Sequence, residues 1–146
     1  MKIAVACDHA GLQLKNVLIE EMQKEGYEVK DFGTYTEESC DYPDYVIPTA
    51  KAVANGEFDR GIVVCGTGLG VSMTANKVHG IRCAVCHDTF SAKATRQHND
   101  ANMLAMGQRV VGTGVALEVL KAFLETDYEG GRHQRRIDKM MALEKE

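Results

Sequence analysis

Gly61-Ile62-Val63-Val64-Cys65-Gly66-Thr67-Gly68-Leu69-Gly70 joins a short apolar run to a loop with glycine at every second position. The apolar run has the length of a buried strand, and Val71, Ala75 and Val78 after the loop repeat at helical spacing. A strand that passes through a glycine-rich loop into a helix is typical of α/β sheets. This stretch therefore predicts an α/β fold with a functional loop at a strand end.

Outward from that stretch, short apolar runs alternate with helical stripes along the whole chain. The predicted strands are Ile3–Cys7, Tyr27–Phe32, Gly61–Cys65, Ile81–Cys86 and Met103–Met106, the last with a continuation through Val110–Val111. The other helical stripes are Leu14, Val17, Leu18 and Met22; Val46, Ala50, Val53 and Ala54; Phe90 and Ala94; and Ala116, Leu120, Phe123 and Leu124. Because most strands are apolar throughout, helices should cover both faces of a doubly wound, mostly parallel sheet.

No linker, internal repeat or low-complexity segment interrupts this rhythm, so residues 1–146 are expected to form a single domain. Gly130-Gly131 precedes a last helix over about residues 131–145, in which Ile137, Met140 and Met141 share one side. An appended helix of this kind either caps the domain or contacts a partner subunit.

Composition narrows the classes of partner. The chain has 146 residues, of which 45% are hydrophobic and 26% charged, and its formal net charge is -4. Nucleic-acid binding needs a broad positive surface and a bilayer span needs about 20 apolar residues, so neither nucleic acid nor a membrane is an expected partner. Five cysteines without a secretory signal indicate reduced thiols and a cytoplasmic protein.

Cys83-Ala84-Val85-Cys86 has the spacing of a metal or redox motif. Residues three apart in a strand point to opposite faces, and no second pair of ligands follows at zinc-finger spacing. We therefore expect two packing cysteines, with a thiol redox protein built on Cys83 and Cys86 as the alternative.

Ligands of open α/β sheets bind outside the carboxyl ends of the strands. The first predicted strand ends in Asp8-His9, whose carboxylate and imidazole could hold a sugar hydroxyl and an anion; the alternative is an Asp that caps a helix beside an exposed His. The glycine loop should turn main-chain amides toward negative charge at a helix N-terminus. It fits neither the dinucleotide fingerprint, since its third glycine comes too early, nor a P-loop, since no Lys-Ser/Thr follows.

Cys65 stands at the mouth of that loop, where a thiolate is stabilised and can act as base or nucleophile; a packing cysteine is the alternative. His98 and Asn99 end the predicted fourth helix and could exchange protons or bind an oxyanion, or could form an ordinary polar helix end. Arg132 and Arg136, four residues apart, suit a phosphate group, with a solvated basic helix end as the alternative.

Several segments together resemble the type B ribose-5-phosphate isomerases of the ribose/galactose isomerase family, which includes allose-6-phosphate isomerase and the subunits of galactose-6-phosphate isomerase. The segments are Asp8-His9-Ala10-Gly11, Asp41-Tyr42-Pro43, Cys65-Gly66-Thr67-Gly68-Leu69-Gly70, Arg96-Gln97-His98-Asn99-Asp100 and Gly130-Gly131-Arg132-His133. They occur in the family's order, and the resemblance spans essentially the whole chain.

The resemblance implies a five-stranded, three-layer Rossmann-like sandwich, catalysis without metal or cofactor, and a homodimer or homotetramer with shared active sites. It implies that Cys65 is the base for the C1/C2 proton, that His98 opens the furanose ring and that Thr67 supports proton transfer. Gly66, Thr67, Gly68, Leu69 and Gly70 would hold the enediolate oxygens. Asp8, His9, Tyr42 and Asn99 would contact the sugar, and Arg109, Arg132 and Arg136 would make polar and phosphate contacts.

The expected function is interconversion of ribose 5-phosphate and ribulose 5-phosphate, as in the pentose phosphate pathway. Allose 6-phosphate or another hexose 6-phosphate is the alternative substrate. A regulatory module that binds a nucleotide or phosphate in the same glycine loop, without chemistry, is the alternative from another class.

Overall fold

The computed structural model describes residues 1–146, which form five strands, six α-helices and two short 3-10 helices. The strands are β1 (Lys2–Cys7), β2 (Glu28–Asp31), β3 (Arg60–Cys65), β4 (Cys83–Val85) and β5 (Met103–Gly107). The helices are α1 (Leu12–Lys24), α2 (Tyr42–Ala54), α3 (Leu69–Asn76), α4 (Thr89–Asn99), α5 (Thr113–Glu125) and α6 (Arg132–Met141). The 3-10 helices are His9–Gly11 and Ala142–Lys145.

All neighbouring strands are parallel, in the order β2-β1-β3-β5-β4. In register, Cys7 lies opposite Val64 and Cys65 lies opposite Gly107, so the carboxyl ends of the three central strands meet at one edge. The chain leaves β1 toward one side of the sheet and β3 toward the other. The loops after these two strands therefore diverge and open a cleft at the point where the strand order reverses.

Helices cover both faces of the sheet. Residues of β1 alternate between the two faces: Ile3 and Val5 belong to a core shared with α1 and α5, whereas Ala4 and Ala6 belong to a core shared with α2 and α3. Phe123 of α5 is completely buried. The predicted three-layer sandwich with a five-stranded sheet is confirmed, and the sheet is parallel throughout.

Three details of the sequence-based prediction were wrong. Strand β5 does not continue through Val110–Val111, because both of these N–H groups donate to the carbonyl of Gly107 and close a turn. Strand β4 is shorter than Ile81–Cys86. Helix α4 does not bury a stripe of Phe90 and Ala94: Phe90 is 79% exposed, and the buried face carries Arg96.

The last helix lies against α4 and buries only Ile137. Met140 is exposed and Met141 lines a groove with residues that precede β4 and β5. Contact of this helix with a second subunit stays a prediction. None of the helices combines the length and the apolar character needed to cross a membrane.

Candidate active site

A cleft of about 350 Å³ opens at the carboxyl edge of the sheet, between the loops that follow β1 and β3. Its walls come from four parts of the chain that the topology brings together. They are Asp8, His9 and Ala10 after β1; Tyr42 at the start of α2; Cys65 at the end of β3, with Gly66, Thr67 and Gly70 after it; and Arg109 after β5.

Cys65 ends β3 with its side chain directed at the glycine loop. The N–H of Gly68 donates to Cys65 Sγ over 3.1 Å, and the residue is 6% exposed at the cleft wall. A main-chain N–H at a helix N-terminus stabilises negative charge on sulfur. The contact therefore favours chemistry by this thiol over a purely packing role.

Three other cysteines, of which Cys7 and Cys86 are buried and Cys83 is partly buried, lie in different surroundings. Burial raises the pKa of Cys7 to about 12 and that of Cys86 to about 11, and it also raises the pKa of Cys83. Cys83 packs on one face of the sheet and Cys86 on the other, as the spacing predicted, and all five cysteines are free. These three thiols stay neutral near pH 7.

The glycine loop packs directly on the end of β5. Gly68 has a φ of +80°, a conformation that side chains with a Cβ rarely adopt, and a Cβ there would lie 2.9 Å from the carbonyl carbon of Met106. The N–H groups of Gln108 and Arg109 donate to the carbonyls of Cys65 and Gly66. The loop is thereby fixed before any ligand binds.

Asp8 and His9 present their polar groups at the opposite wall. Asp8 Oδ1 accepts the N–H of Ala10 over 2.9 Å, so this Asp caps the 3-10 helix, as the alternative interpretation held, while still lining the cleft. His9 Nδ1 accepts the N–H of Cys40 over 3.2 Å. A neutral His9 ring therefore carries its proton on Nε2, which can donate to a hydroxyl or phosphate oxygen.

Arg109 and Tyr42 close the sides of the cleft. A Cβ on Gly66 would meet the Arg109 side chain at 3.4 Å, and the Tyr42 ring leaves no room for a Cβ on Gly70. Arg109 supplies positive charge beside the amides of the loop. The arrangement can hold an oxyanion and a phosphorylated polyol in front of Cys65.

His98 and Asn99 lie elsewhere in the chain. Helix α4 begins at the carboxyl edge and returns over 11 residues, about 16 Å, to the amino edge of the sheet. Arg82, which precedes β4, accordingly donates to the carbonyl of Asn99 over 2.9 Å. The predicted site residues therefore form two groups in one chain, one at the carboxyl ends of the strands and one at their amino ends.

Arg132 and Arg136 belong to the group at the amino edge, since α6 packs against α4. Both arginines are exposed. His133, between them, stacks on His98 with ring centroids 4.5 Å apart. None of these residues lines the cleft of Cys65.

Sequence reasoning missed His87, which lies two residues after the end of β4. Its Nε2 accepts the N–H of Gly107 over 2.8 Å, and burial lowers the pKa of this imidazole, which keeps it neutral and able to accept. His87 thus fixes the strand end on which Thr67 packs. Its position after a predicted strand, the criterion that singled out Asp8 and His9, was the available signal.

Comparison with known proteins gives one consistent family. A model of the Ribose/Galactose Isomerase family matches residues 3–140. Ribose-5-phosphate isomerase B of Escherichia coli K12 is 50% identical over 143 residues, which cover 98% of this chain and 96% of that protein.

Solved structures agree with this result over almost the full length. Ribose-5-phosphate isomerase B of Clostridium thermocellum matches with a TM-score of 0.98 at 52% identity, covering 99% of this chain and 98% of that one. The Mycoplasma genitalium enzyme, solved with bound ribulose-5-phosphate, matches with a TM-score of 0.95 at 41% identity, covering 99% and 97% of the two chains.

Proposed function

Because the chain belongs to the ribose/galactose isomerase family, we propose that it is an aldose–ketose isomerase that interconverts ribose 5-phosphate and ribulose 5-phosphate. The E. coli relative and the M. genitalium structure with bound ribulose-5-phosphate support this substrate. The observation that carries the chemistry is Cys65 Sγ, 3.1 Å from the Gly68 amide on the wall of a cleft.

The chemical difficulty is the removal of a weakly acidic proton from the carbon beside a carbonyl. In the aldose, the Cys65 thiolate takes the C2 proton while negative charge develops on the C1 oxygen. Preoriented amides at the developing oxyanion contribute about 3 kcal/mol per donor, and a positioned base contributes roughly a hundred- to ten-thousand-fold in rate. The glycine loop supplies the amides.

In the second half of the reaction, Cys65 delivers a proton, which can exchange with solvent while it is on sulfur, to the neighbouring carbon. A proton moves from the C2 hydroxyl to the C1 oxygen of the enediolate, and the Cys65 thiol then protonates C1 to give the ketose. Thr67 supports the transfer between oxygens: its Oγ1 accepts the N–H of Leu69 over 3.2 Å, so its own O–H can donate to an enediolate oxygen. Atoms and electrons balance without a cofactor.

Ring opening and phosphate binding use the residues at the amino ends of the strands, together with Asp8 from the cleft. We assign His98, with Asp8, to opening of the furanose ring, Asn99 to a sugar contact, and Arg132 and Arg136 to the phosphate. Helix α4 carries His98 away from the carboxyl ends of the strands, where Cys65 lies, and His98 does not line the cleft of Cys65 in the same chain. Both can act on one sugar only if His98 comes from a second copy, so the proposal includes a homodimer or homotetramer with shared sites.

The test is incubation of the protein with ribose 5-phosphate in D₂O, followed by NMR. We expect ribulose 5-phosphate, with solvent deuterium entering through the enediolate at C1 of the ketose and C2 of the aldose. Parallel assays with allose 6-phosphate and galactose 6-phosphate compare turnover of six-carbon substrates with that of the five-carbon substrate. Nucleotide binding without turnover or deuterium incorporation would instead support the non-catalytic module and contradict the proposal.

A reducing compartment completes the proposal, because Cys65 must remain a free thiol to act as a base. All five free cysteines are compatible with a cytoplasmic enzyme. Reversible loss of turnover on mild oxidation, restored by a thiol reductant, would support this requirement.

A further inference from the structure

Three ligand groups from two parts of the chain meet beside the end of α4. His98, Glu129 and His133 each offer one atom, and these atoms all lie within 4.8 Å of one another. Glu129 Oε1 lies 3.9 Å from His98 Nε2, and Glu129 Oε2 lies 4.0 Å from His133 Nε2. The carboxylate thus faces the same ring nitrogen of both stacked histidines.

Main-chain contacts hold these three residues together. The N–H of Glu129 donates to the carbonyl of Gln97 over 3.1 Å, which ties the α5–α6 loop to α4. The N–H of His133 donates to the carbonyl of Gly130, at the start of α6. The cluster is therefore built into the junction of α4 and α6 and does not depend on long flexible side chains alone.

We propose that His98, Glu129 and His133 bind one divalent transition-metal ion of the zinc class, and that the bound ion inhibits the isomerase. Two imidazoles and one carboxylate suit Zn²⁺ or Co²⁺, whereas Mg²⁺ and Ca²⁺ prefer sites built of oxygen alone. Three protein ligands leave the fourth tetrahedral position for water.

Coordination requires the side chains to rotate: the stacked rings of His98 and His133, 19° from parallel, must tilt relative to each other so that their Nε2 lone pairs converge on one ion. With metal–nitrogen distances of about 2.0–2.1 Å, two tetrahedral ligand atoms lie roughly 3.3 Å apart, so the widest separation must close by about 1.5 Å. The side chains of His98 and Glu129 are 47% and 50% exposed and can move, whereas that of His133 is 12% exposed and forms the fixed wall.

Charge sets the strength of the site. Arg132 and Arg136 belong to the same helix as His133, and their positive charge opposes a cation. Glu129 supplies the compensating negative charge, and the outcome is a reversible site rather than a permanent structural one.

Inhibition, but not binding, rests on the proposed function. Coordination occupies the lone pair on His98 Nε2, through which the ring would accept and return a proton during ring opening. An enzyme with the ion bound therefore cannot use His98 on the closed sugar, while Cys65 and its glycine loop stay intact.

Zinc affinity is measured by competition with a chelating indicator, for the wild-type protein and for His133→Asn and Glu129→Gln. Loss of a partner outside the first coordination sphere already costs about 10- to 100-fold in affinity, so removal of a direct ligand should weaken binding by about 100-fold or more. His79→Asn is the matched control, since His79 is exposed and outside the cluster. It should bind as the wild type does.

The Co²⁺ spectrum separates this site from a thiol site at Cys65 or Cys40. We expect weak visible bands of nitrogen and oxygen ligands without an intense thiolate charge-transfer band. Equal zinc affinity in the wild type and His133→Asn, or a strong thiolate band, would overturn the site. Binding that His133→Asn abolishes, without zinc inhibition of the wild type, would overturn the inhibition and the assigned role of His98, while the site itself would stand.

Discussion

Complementation between two inactive variants tests the shared site. Cys65→Ala removes the proposed base and His98→Asn removes the proposed ring-opening imidazole, so each homo-oligomer should be inactive on ribose 5-phosphate. In a heterodimer of the two variants, one site carries both substitutions. The other combines Cys65 from one chain with His98 from its partner and is therefore intact.

The expected magnitude follows from counting sites. A purified heterodimer, isolated with a different affinity tag on each chain, has one intact site of two and should show about half of the wild-type turnover per dimer. A heterodimer of wild type and Cys65→Ala, prepared in the same way, gives the reference for a single working site. Background turnover in the mixed heterodimer would refute the assignment, because sites formed within one chain would both be defective.

Three further expectations concern the packing of the cleft and the stability of the fold. Gly68→Ala forces a Cβ into a left-handed backbone against β5, so the free energy of unfolding, measured by heat or urea, should fall by about 1–3 kcal/mol and most of the turnover should be lost. Gly112→Ala is the control: a Cβ there would meet nothing within 4 Å, and turnover should be unchanged. Because folding lowers the pKa of His87 below its ordinary value of 6.5, the folded state gains stability above pH 6.5 and loses it as the pH falls below 6.5. His87→Gln should therefore flatten the pH dependence of the melting temperature in this range. An unchanged slope would contradict this role. Lys15→Met removes a completely buried ammonium group 2.7 Å from the carboxylate of Asp31 and should lower the free energy of unfolding by about 3 kcal/mol. Lys24→Met, which breaks an exposed ion pair, should change it by less than about 0.5 kcal/mol. Equal effects of the two substitutions would contradict a stabilising role for the buried pair.

Much of the fold could be predicted because its signals are local. Strands β1 and β3 are uninterrupted apolar runs, and Cys65 passes directly into glycines that only a close-packed turn requires. Val110–Val111 was wrongly assigned to a strand because two adjacent apolar residues are compatible with either a strand or a turn. Its backbone is decided by the Gly107 carbonyl, which the pattern does not reveal.

Buried charge accounts for another error. The sequence of α4 is compatible with burial of more than one helix face, and the apolar residues favoured the face that carries Phe90. The structure instead buries Arg96, whose Nη1 donates to Asp100 and to the carbonyl of Ala101. Lys15 of α1 is buried in the same way against Asp31. From residue type alone, Lys and Arg side chains are predicted to be exposed, because the partners that allow their burial come together only in the folded chain.

The candidate site could be predicted in part. The loops after β1 and β3 converge because parallel strands end at one edge, so the cleft group follows from the topology. The cluster of His98, Glu129 and His133 does not: Glu129 and His133 are four residues apart, but they meet His98 only because α6 docks on α4. No sequence spacing encodes that contact.

The role of Cys65 is tested most directly by Cys65→Ala, assayed both for turnover and for binding of ribitol 5-phosphate, which lacks the carbonyl and cannot react. We expect turnover and deuterium incorporation from D₂O to fall by at least about a hundred- to ten-thousand-fold, with ribitol 5-phosphate bound nearly as tightly as by the wild type. Turnover close to the wild-type value in this variant would show that another group moves the proton.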